Sequence, residues 1–205
     1  MTRSALLSFV FFISSSLGQN AAAQSVDWQD ATLYKSMERA RAARRAGQPI
    51  YRIDLTKKRL RDFPSELAEW TELREVILDR NRLTRVDEDL SGWVFLEHFS
   101  AVSNKLEAFP ASVTSWKALQ EINLGDNVID SIPLDIDQLV ELRRLKLWSN
   151  VIAHYPTSLG DLPHLEDLDL QYNDMTLDEQ ELLKSWLPVS VFIKLSAPCR
   201  CEFDE

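Results

Sequence analysis

An apolar pattern that recurs every 23 residues dominates the middle of the chain. Six consecutive stretches carry it without insertion, and they begin at Ile50, Leu73, Leu96, Leu119, Leu142 and Leu165. In each stretch the first, fourth, sixth and eleventh residues are apolar, and polar residues usually alternate with the fourth and sixth, as in a short strand with one buried face. Because a unit this small buries its apolar face only against its neighbours, the pattern predicts a stacked array of short strands.

An asparagine occupies the ninth position in five of the six units. The chain turns there and leaves backbone groups unpaired, and a side-chain amide both donates and accepts hydrogen bonds. The pattern therefore predicts a stacked asparagine ladder. In the first unit Lys58 replaces the asparagine, at the end of the stack, where one neighbour is missing. The ladder residues are Asn81, Asn104, Asn127, Asn150 and Asn173.

The second half of each unit repeats as well. An apolar residue, usually followed by proline as in Phe63-Pro64 and Phe109-Pro110, prevents the chain from continuing as a strand. Further apolar columns follow, and Trp70, Trp93 and Trp116 share one of them. Three tryptophans in one column suggest an aromatic ligand cage, but their position within the repeat is that of a buried residue. We predict that they fill the convex side of the core.

Six copies of L-x-x-L-x-L-x-x-N-x-L, such as LRRLKLWSNVI from Leu142, resemble the leucine-rich repeat family over residues 49–175. The resemblance implies an α/β fold, a solenoid with a short curved parallel sheet on its concave side. It also implies protein–protein interaction as the commonest role, although it names no partner.

The segments on either side of the repeats are expected to cover the open ends of the stack. Residues 24–48 predict an N-terminal capping helix from Asp27 to Ala46, ended by Gly47 and Pro49. Residues on one face of this helix are expected to seal the first repeat: Trp28, Ala31, Tyr34 and Met37.

The C-terminal cap is predicted over residues 176–195. Thr176 and Glu179 form the T-x-x-E capping box of a helix through Trp186, which Pro188 stops, and residues 189–193 predict a last edge strand. This arrangement resembles the closing cap of bacterial leucine-rich repeat proteins, so it favours a bacterial envelope or secreted protein.

The first 23 residues read as a secretory signal peptide. A short basic start with Arg3 precedes an apolar run over residues 5–13, and residues 21–23 offer an A-x-A cleavage site. The alternative is an N-terminal membrane anchor, which needs about 20 continuous apolar residues, whereas serines at 14–16 interrupt this run. We therefore expect an exported protein, periplasmic or secreted, with no membrane span after cleavage.

Composition disfavours nucleic acid and catalysis. The formal net charge is −9, and removal of the signal peptide takes away one arginine, whereas nucleic-acid binding needs a basic surface. No phosphate-binding loop, metalloprotease motif or nucleophile elbow is present. His98, His154 and His164 fall on different parts of the repeat, so no metal site is expected. We expect no catalytic residue and no cofactor.

Trp148 breaks the repeat, because it occupies a seventh position that should face water on the concave side. Gly125 occupies the same position in the preceding unit, and because it has no side chain it is expected to leave a gap beside Trp148. Tyr172 follows on the next strand, and Val102 lies two strands away. Interfaces enrich Trp and Tyr. An exposed tryptophan without a role is the alternative, and cross-strand pairing alone explains the alternating charges on this face. The predicted site for a protein or peptide partner comprises Trp148, Tyr172, Val102, Arg144, Lys146, Asp169 and Asp126.

Cys199 and Cys201 lie in the acidic tail, residues 196–205. In an exported protein a C-x-C pair forms a strained disulfide, links two chains or holds a soft metal such as Cu(I), and a passive disulfide or a disordered end is the simpler alternative. We expect a monomer. The alternative functions are recognition of a glycan or another small ligand, and a redox or metal role for the tail.

Overall fold

In the computed structural model, residues 27–152 and 155–198 are described. The predicted signal peptide, His154 and both cysteines lie outside the described residues.

Within the described residues, eight parallel strands form one sheet in chain order. Strands β2 to β7 begin at the third position of the six repeats, and register places Arg52 opposite Glu75 and Glu121 opposite Arg144. The sheet therefore aligns equivalent positions of successive units into columns. The strands are β1 (Leu33–Tyr34), β2 (Arg52–Asp54), β3 (Glu75–Ile77), β4 (His98–Ser100), β5 (Glu121–Asn123), β6 (Arg144–Lys146), β7 (Asp167–Asp169) and β8 (Phe192–Lys194).

Each repeat strand buries its middle residue and leaves its first and third residues half-buried. This pattern follows from the period of two along a strand. One sheet face thus packs on the core, and we call the other, which carries the third and fifth positions of each unit, the open face. It corresponds to the concave side of the predicted solenoid.

Short 3₁₀ helices return the chain on the other side of the core. Four of them fall between the repeat strands, at Ser65–Glu69, Val113–Ser115, Ile136–Gln138 and Thr157–Asp161. The tryptophan column lies against them, with Trp93 and Trp116 fully buried. The Trp93 indole nitrogen donates to the Leu67 carbonyl at 3.1 Å, and that of Trp116 donates to Leu90 at 3.0 Å. These tryptophans are core residues, as their phase predicts.

The ninth-position asparagines join consecutive units. The Asn127 amide nitrogen donates to the carbonyls of Ala101 and Leu124 at 3.0 and 2.9 Å, and its Oδ1 accepts from the Leu106 N–H at 3.0 Å. Asn81, Asn104, Asn150 and Asn173 make the equivalent bonds in their own units. Each asparagine therefore satisfies buried backbone groups of its own unit and of the unit before it.

The N-terminal segment is not the single helix predicted from Asp27 to Ala46. A 3₁₀ turn at Trp28–Asp30 leads into β1, and helix α1 covers only Met37–Arg45. Because β2 would otherwise leave its outer backbone groups unpaired, Leu33 and Tyr34 pair with it in parallel and extend the sheet. Hydrogen bonding to this edge outweighs the local preference for helix.

The C-terminal end follows the prediction more closely. Helix α2 (Leu177–Trp186) begins at the capping box of Thr176 and Glu179, whose two reciprocal bonds are both present. The edge strand begins at Phe192, three residues later than the start predicted from sequence, because Val191 is buried and its N–H donates to the Pro188 carbonyl at 3.0 Å. Across the two described ranges, no helix is both long and apolar enough to cross a bilayer.

Candidate binding surface

The charges on the open face pair with one another across strands. Arg144 Nε donates to Glu121 Oε2 at 2.7 Å, and Lys146 Nζ donates to Glu121 Oε1 at 2.5 Å. Asp169 lies 3.8 Å from the ammonium of Lys194 and accepts a 3.2 Å bond from the Gln171 N–H. The structure thus places Arg144, Lys146 and Asp169 in the cross-strand pairing that the sequence offered as an alternative, and a partner would meet them already positioned.

The carboxyl of Glu121 is the centre of this network. Its burial alone would raise the pKa, but hydrogen bonds and charges from Lys146 and Arg144 outweigh burial and lower the pKa below its usual value. Glu121 therefore stays ionised at neutral pH and holds both cations in place. The network fixes the orientation of charge at the centre of the open face.

Trp148 does not border an empty gap, contrary to the expectation from sequence. Its indole lies directly on Gly125, because a Cβ added to this glycine would come within 2.3 Å of Cε2 and Nε1 of the ring. Gly125 is buried and Trp148 is half-buried as a result. The missing side chain at position 125 is the reason that a tryptophan fits against the sheet, and the ring is held in place before any partner arrives.

Tyr172 follows the next strand and is the exposed aromatic of the pair, with 69% of its surface accessible. Its φ is 59°, and the eighth position of every other unit, from Lys57 to Ser149, has φ between 53° and 59°, so a left-handed turn ends each repeat strand. The Tyr172 N–H donates to Ser196 Oγ at 2.6 Å, which ties this turn to the chain beyond β8. Two aromatics, one packed on Gly125 and one exposed, thus lie at the carboxyl ends of neighbouring strands.

The other two predicted residues lie along the same edge. Val102, after β4, is half-buried, and Asp126, after β5, is exposed. The repeat register therefore brings Val102, Asp126, Trp148 and Tyr172 to one edge of the open face, and it places Arg144, Lys146 and Asp169 on the strands beside them.

Sequence reasoning missed that the N-terminal segment covers the other end of the open face. The Trp28 ring meets the His98 ring edge-on, with 5.4 Å between centroids, and the Arg52 guanidinium lies 5.8 Å from the indole centroid. Arg52 also donates to the Gln29 carbonyl at 2.5 Å. Trp28 is only 8% exposed. The sequence predicted Trp28 on a helix face against the first repeat, but residues 28–30 form a 3₁₀ turn before β1, and this turn places Trp28 on His98 instead.

Beside Trp28, a cavity of about 220 Å³ lies between β3 and β5, lined on the open face by Glu75, Ile77, His98, Ser100, Glu121 and Asn123. The uncovered part of the open face therefore runs from this cavity to β8 and includes the two aromatics. In the part of the chain that the structure describes, no three His, Cys, Asp or Glu side chains converge as metal ligands.

Replacing Gly125 by alanine is expected to displace the Trp148 ring, because the added Cβ and the indole cannot occupy the same space. With fluorotryptophan incorporated, one of the six tryptophan ¹⁹F resonances should move and become more sensitive to solvent, and Trp148→Phe identifies it. Gly92→Ala is the matched control, since its Cβ would meet only Thr71 Cγ2 at 3.1 Å. An unchanged Trp148 resonance in Gly125→Ala would contradict the contact.

Comparison with known proteins gives one consistent result at the level of fold. No protein-family model matches the chain, and no curated protein matches it. Among solved structures, a leucine-rich repeat protein of Leptospira interrogans is 25% identical with a TM-score of 0.58, over 71% of this chain and 36% of that one. Internalin C2 of Listeria monocytogenes is 19% identical with a TM-score of 0.58, over 72% of this chain and 62% of that one.

A third similar structure is an octameric complex of Latrophilin 3, Unc5D and the leucine-rich repeat part of FLRT2. The matching chain is 27% identical with a TM-score of 0.55, over 62% of this chain and 42% of that one. This chain spans less than two thirds of the length of each of these three proteins.

Proposed function

We infer from its leucine-rich repeat fold that this chain is a non-catalytic module that binds a protein or peptide on the open face of its sheet. The observation that carries the proposal is the aromatic pair at the ends of β6 and β7, with Trp148 packed on Gly125 and Tyr172 exposed. Rigid aromatic side chains bury a large area on binding at little entropic cost, and they are the commonest hot-spot residues of protein interfaces.

The charge network beside the aromatic pair supports the same site. Arg144, Lys146 and Asp169 are held by cross-strand contacts, so they present a fixed pattern of charge without further ordering. Fixed charges around an apolar centre give an interface its orientation and exclude wrong partners. We assign the centre of the interface to Trp148 and Tyr172 and the polar rim to these charges together with Asp126, and Val102 extends the surface toward β4.

The covered end of the sheet limits where a partner binds. Trp28 contacts His98 and Gln29 contacts Arg52, so the N-terminal segment already occupies the open face at these two residues of β2 and β4. A partner on the open face therefore binds toward the C-terminal half of the sheet. We also propose that residues 24–48 and 176–195 act as caps of the repeat array, because they add β1 and β8 to its two ends.

The proposed setting is outside the cytoplasm, in the periplasm or the medium. The support comes from the sequence, since residues 1–23 have the basic start, apolar run and small-residue cleavage site of a signal peptide.

Affinity capture from envelope and secreted fractions of the source cells tests the proposal. The bait is the chain from Gln24, compared with a Trp148→Ala, Tyr172→Ala double variant and with Leu134→Ala, which removes an 83% exposed apolar side chain away from the open face. We expect a protein that the wild type and Leu134→Ala retain and the double variant loses. Equal recovery with all three baits would place the interface elsewhere, and a recovered glycan in place of a protein would contradict the partner class.

A further inference from the structure

Eight exposed cationic side chains follow the first three repeat strands at their carboxyl ends. Four of them fall within the five residues 57–61, and three more within residues 80–85. All eight are exposed, although the chain as a whole has a formal charge of −9. We call this set the basic edge; it comprises Lys57, Lys58, Arg59, Arg61, Arg80, Arg82, Arg85 and Lys105.

The basic edge ends abruptly along the sheet. The eighth position is Lys57 in the first unit and Arg80 in the second but Asp126 in the fourth. The twelfth position changes from Arg61 through Thr84 and Glu107 to Asp130, so acidic residues begin in the third unit. Stacking aligns these positions, so the edge is basic at one end and neutral to acidic at the other. This segregation is invisible in the net charge.

These cations are not used to hold the fold together. Among the described residues that make up the basic edge, only Arg85 has an ion-pair partner, the exposed Asp87 at 3.0 Å. On the open face, by contrast, Arg52 pairs with Glu75 and Arg144 with Glu121. The guanidinium and ammonium groups of the other seven residues of the basic edge therefore remain available to a ligand.

Backbone geometry distinguishes one residue of this end, Arg59. Lys57, Arg59 and Arg80 all have φ between 55° and 59°, a left-handed conformation that Gly adopts readily because it lacks a Cβ, and that Asn adopts because its short side chain hydrogen-bonds locally. The eighth position is left-handed in every unit, but the tenth is left-handed only at Arg59 among the described residues. Long cationic side chains thus occupy positions where a smaller residue would fold more easily.

The composition of the basic edge indicates the chemistry of its ligand. No aromatic residue lies among the eight cations, so the edge lacks both the buried anchors of a protein interface and the stacking platform of a single-stranded nucleic-acid site. Five of the eight are arginines, whose planar forks match phosphate and sulfate oxygens in pairs. The column of Arg59, Arg82 and Lys105 spans roughly 10 Å at one residue per strand.

The surroundings distinguish a flexible ligand from a rigid or flat one. A duplex or a membrane plane lying along the edge would also meet the acidic end at Asp126 and Asp130, which would repel it. On the side away from the sheet, Asp62, Asp87 and Glu88 line a cavity of about 300 Å³ with Arg61 and Arg85, which bounds the basic edge there too. A flexible chain follows the basic edge and turns away where the acidic residues begin.

We propose that the basic edge binds a flexible linear polyanion carrying sulfate or phosphate esters, such as an anionic glycan. This second site is distinct from the open-face interface: it lies on the turns after β2 to β4, whereas the aromatic pair follows β6 and β7.

Titration with heparin, a sulfated glycan, tests the proposal. Wild type should bind it. The basic-edge variant combines four substitutions, Lys57→Glu, Arg59→Glu, Arg80→Glu and Arg82→Glu, and it should bind heparin about a hundredfold more weakly at low salt. The slope of log affinity against log salt should fall by about three, at roughly 0.7–0.9 for each cation lost. The matched control reverses four other exposed cations, Lys35, Arg39, Arg45 and Lys184, which gives the same net charge. Thermal melting establishes that both variants fold.

Retained binding by the control variant and loss by the basic-edge variant is the expected result. Equal weakening in both variants would show an effect of net charge alone and would overturn the proposal, as would the absence of heparin binding by wild type. Duplex DNA, poly-glutamate and vesicles of phosphatidylglycerol are titrated in parallel. Tighter binding to any of these than to heparin would overturn the proposal, because the ligand would then be a nucleic acid, an acidic protein or a membrane and not a flexible sulfated or phosphorylated polymer.

Discussion

Replacing Trp116 by alanine is expected to lower the free energy of unfolding by about 3–5 kcal/mol. The Trp116 ring is fully buried, and its centroid lies 5.6 Å from the centroid of the Trp93 ring and 5.1 Å from that of the Phe99 ring. Because repeats are stabilised only by their neighbours, a cavity in the third unit weakens its contacts on both sides. Equilibrium urea unfolding followed by circular dichroism measures the loss.

Two variants separate the causes of this loss. Trp116→Phe keeps a ring but removes the 3.0 Å bond to the Leu90 carbonyl, which still accepts from the Trp93 N–H at 3.0 Å. The lost hydrogen bond should therefore cost about 0.5–1.5 kcal/mol. Leu134→Ala removes a side chain that is 83% exposed and should change stability by less than about 0.5 kcal/mol. If Trp116→Ala cost no more than Leu134→Ala, the tryptophan column would not be the packed interior described above.

Replacing Asn127 by alanine is expected to cost about 3 kcal/mol, because one buried N–H loses its acceptor and two buried carbonyls, which keep Asn104 and Asn150 as donors, each lose one of two hydrogen bonds. The carbonyls of Ala101 and Leu124 lose a donor, and the N–H of Leu106 loses its acceptor. These groups belong to two consecutive units, so the substitution also uncouples the third unit from the fourth. Urea unfolding again measures the change, with hydrogen exchange at the Leu106 amide as the local readout.

The repeat supplies its own control for the asparagine. Lys58 occupies the same ninth position in the first unit and is exposed, so Lys58→Ala should be nearly neutral. Asn127→Asp keeps the acceptor for Leu106 but sets a charge against the two carbonyls, and it should be at least as destabilising as alanine. A neutral effect of Asn127→Ala would show that the ladder does not hold the units together.

The repeat strands and the tryptophan core were predictable from sequence because stacking imposes one constraint on every unit. Leu145, for example, is buried in a column with the equivalent residues of the neighbouring units, and each of these residues must have the same position in its unit. Periodicity in sequence therefore reports directly on position in space. The capping box of α2 was predictable for a different reason, since Thr176 and Glu179 act within one helical turn.

The N-terminal segment was not predictable from local pattern. Its helix is shorter than predicted because the unpaired edge of β2 competes for Leu33 and Tyr34, and this edge does not exist until the repeats have stacked. The position of Trp28 over His98 is likewise a contact between residues 70 positions apart.

The candidate site was predictable in register but not in conformation. The seventh-position column places Gly125 beside Trp148, yet only the side-chain rotamer shows that the indole occupies the space that the glycine leaves. The basic edge escaped notice because a net charge of −9 averages over both ends of the molecule. Columns of charge become visible when each unit is placed beside the next.

The dissociation constant of the captured partner, measured with wild type and with Trp148→Ala, tests the central claim most directly. Loss of a hot-spot aromatic should weaken binding about thirtyfold, or about 2 kcal/mol. Leu134→Ala should leave the constant unchanged, and unfolding curves should show that both variants are folded. An affinity for Trp148→Ala within about twofold of wild type would contradict a protein-binding site centred on this tryptophan.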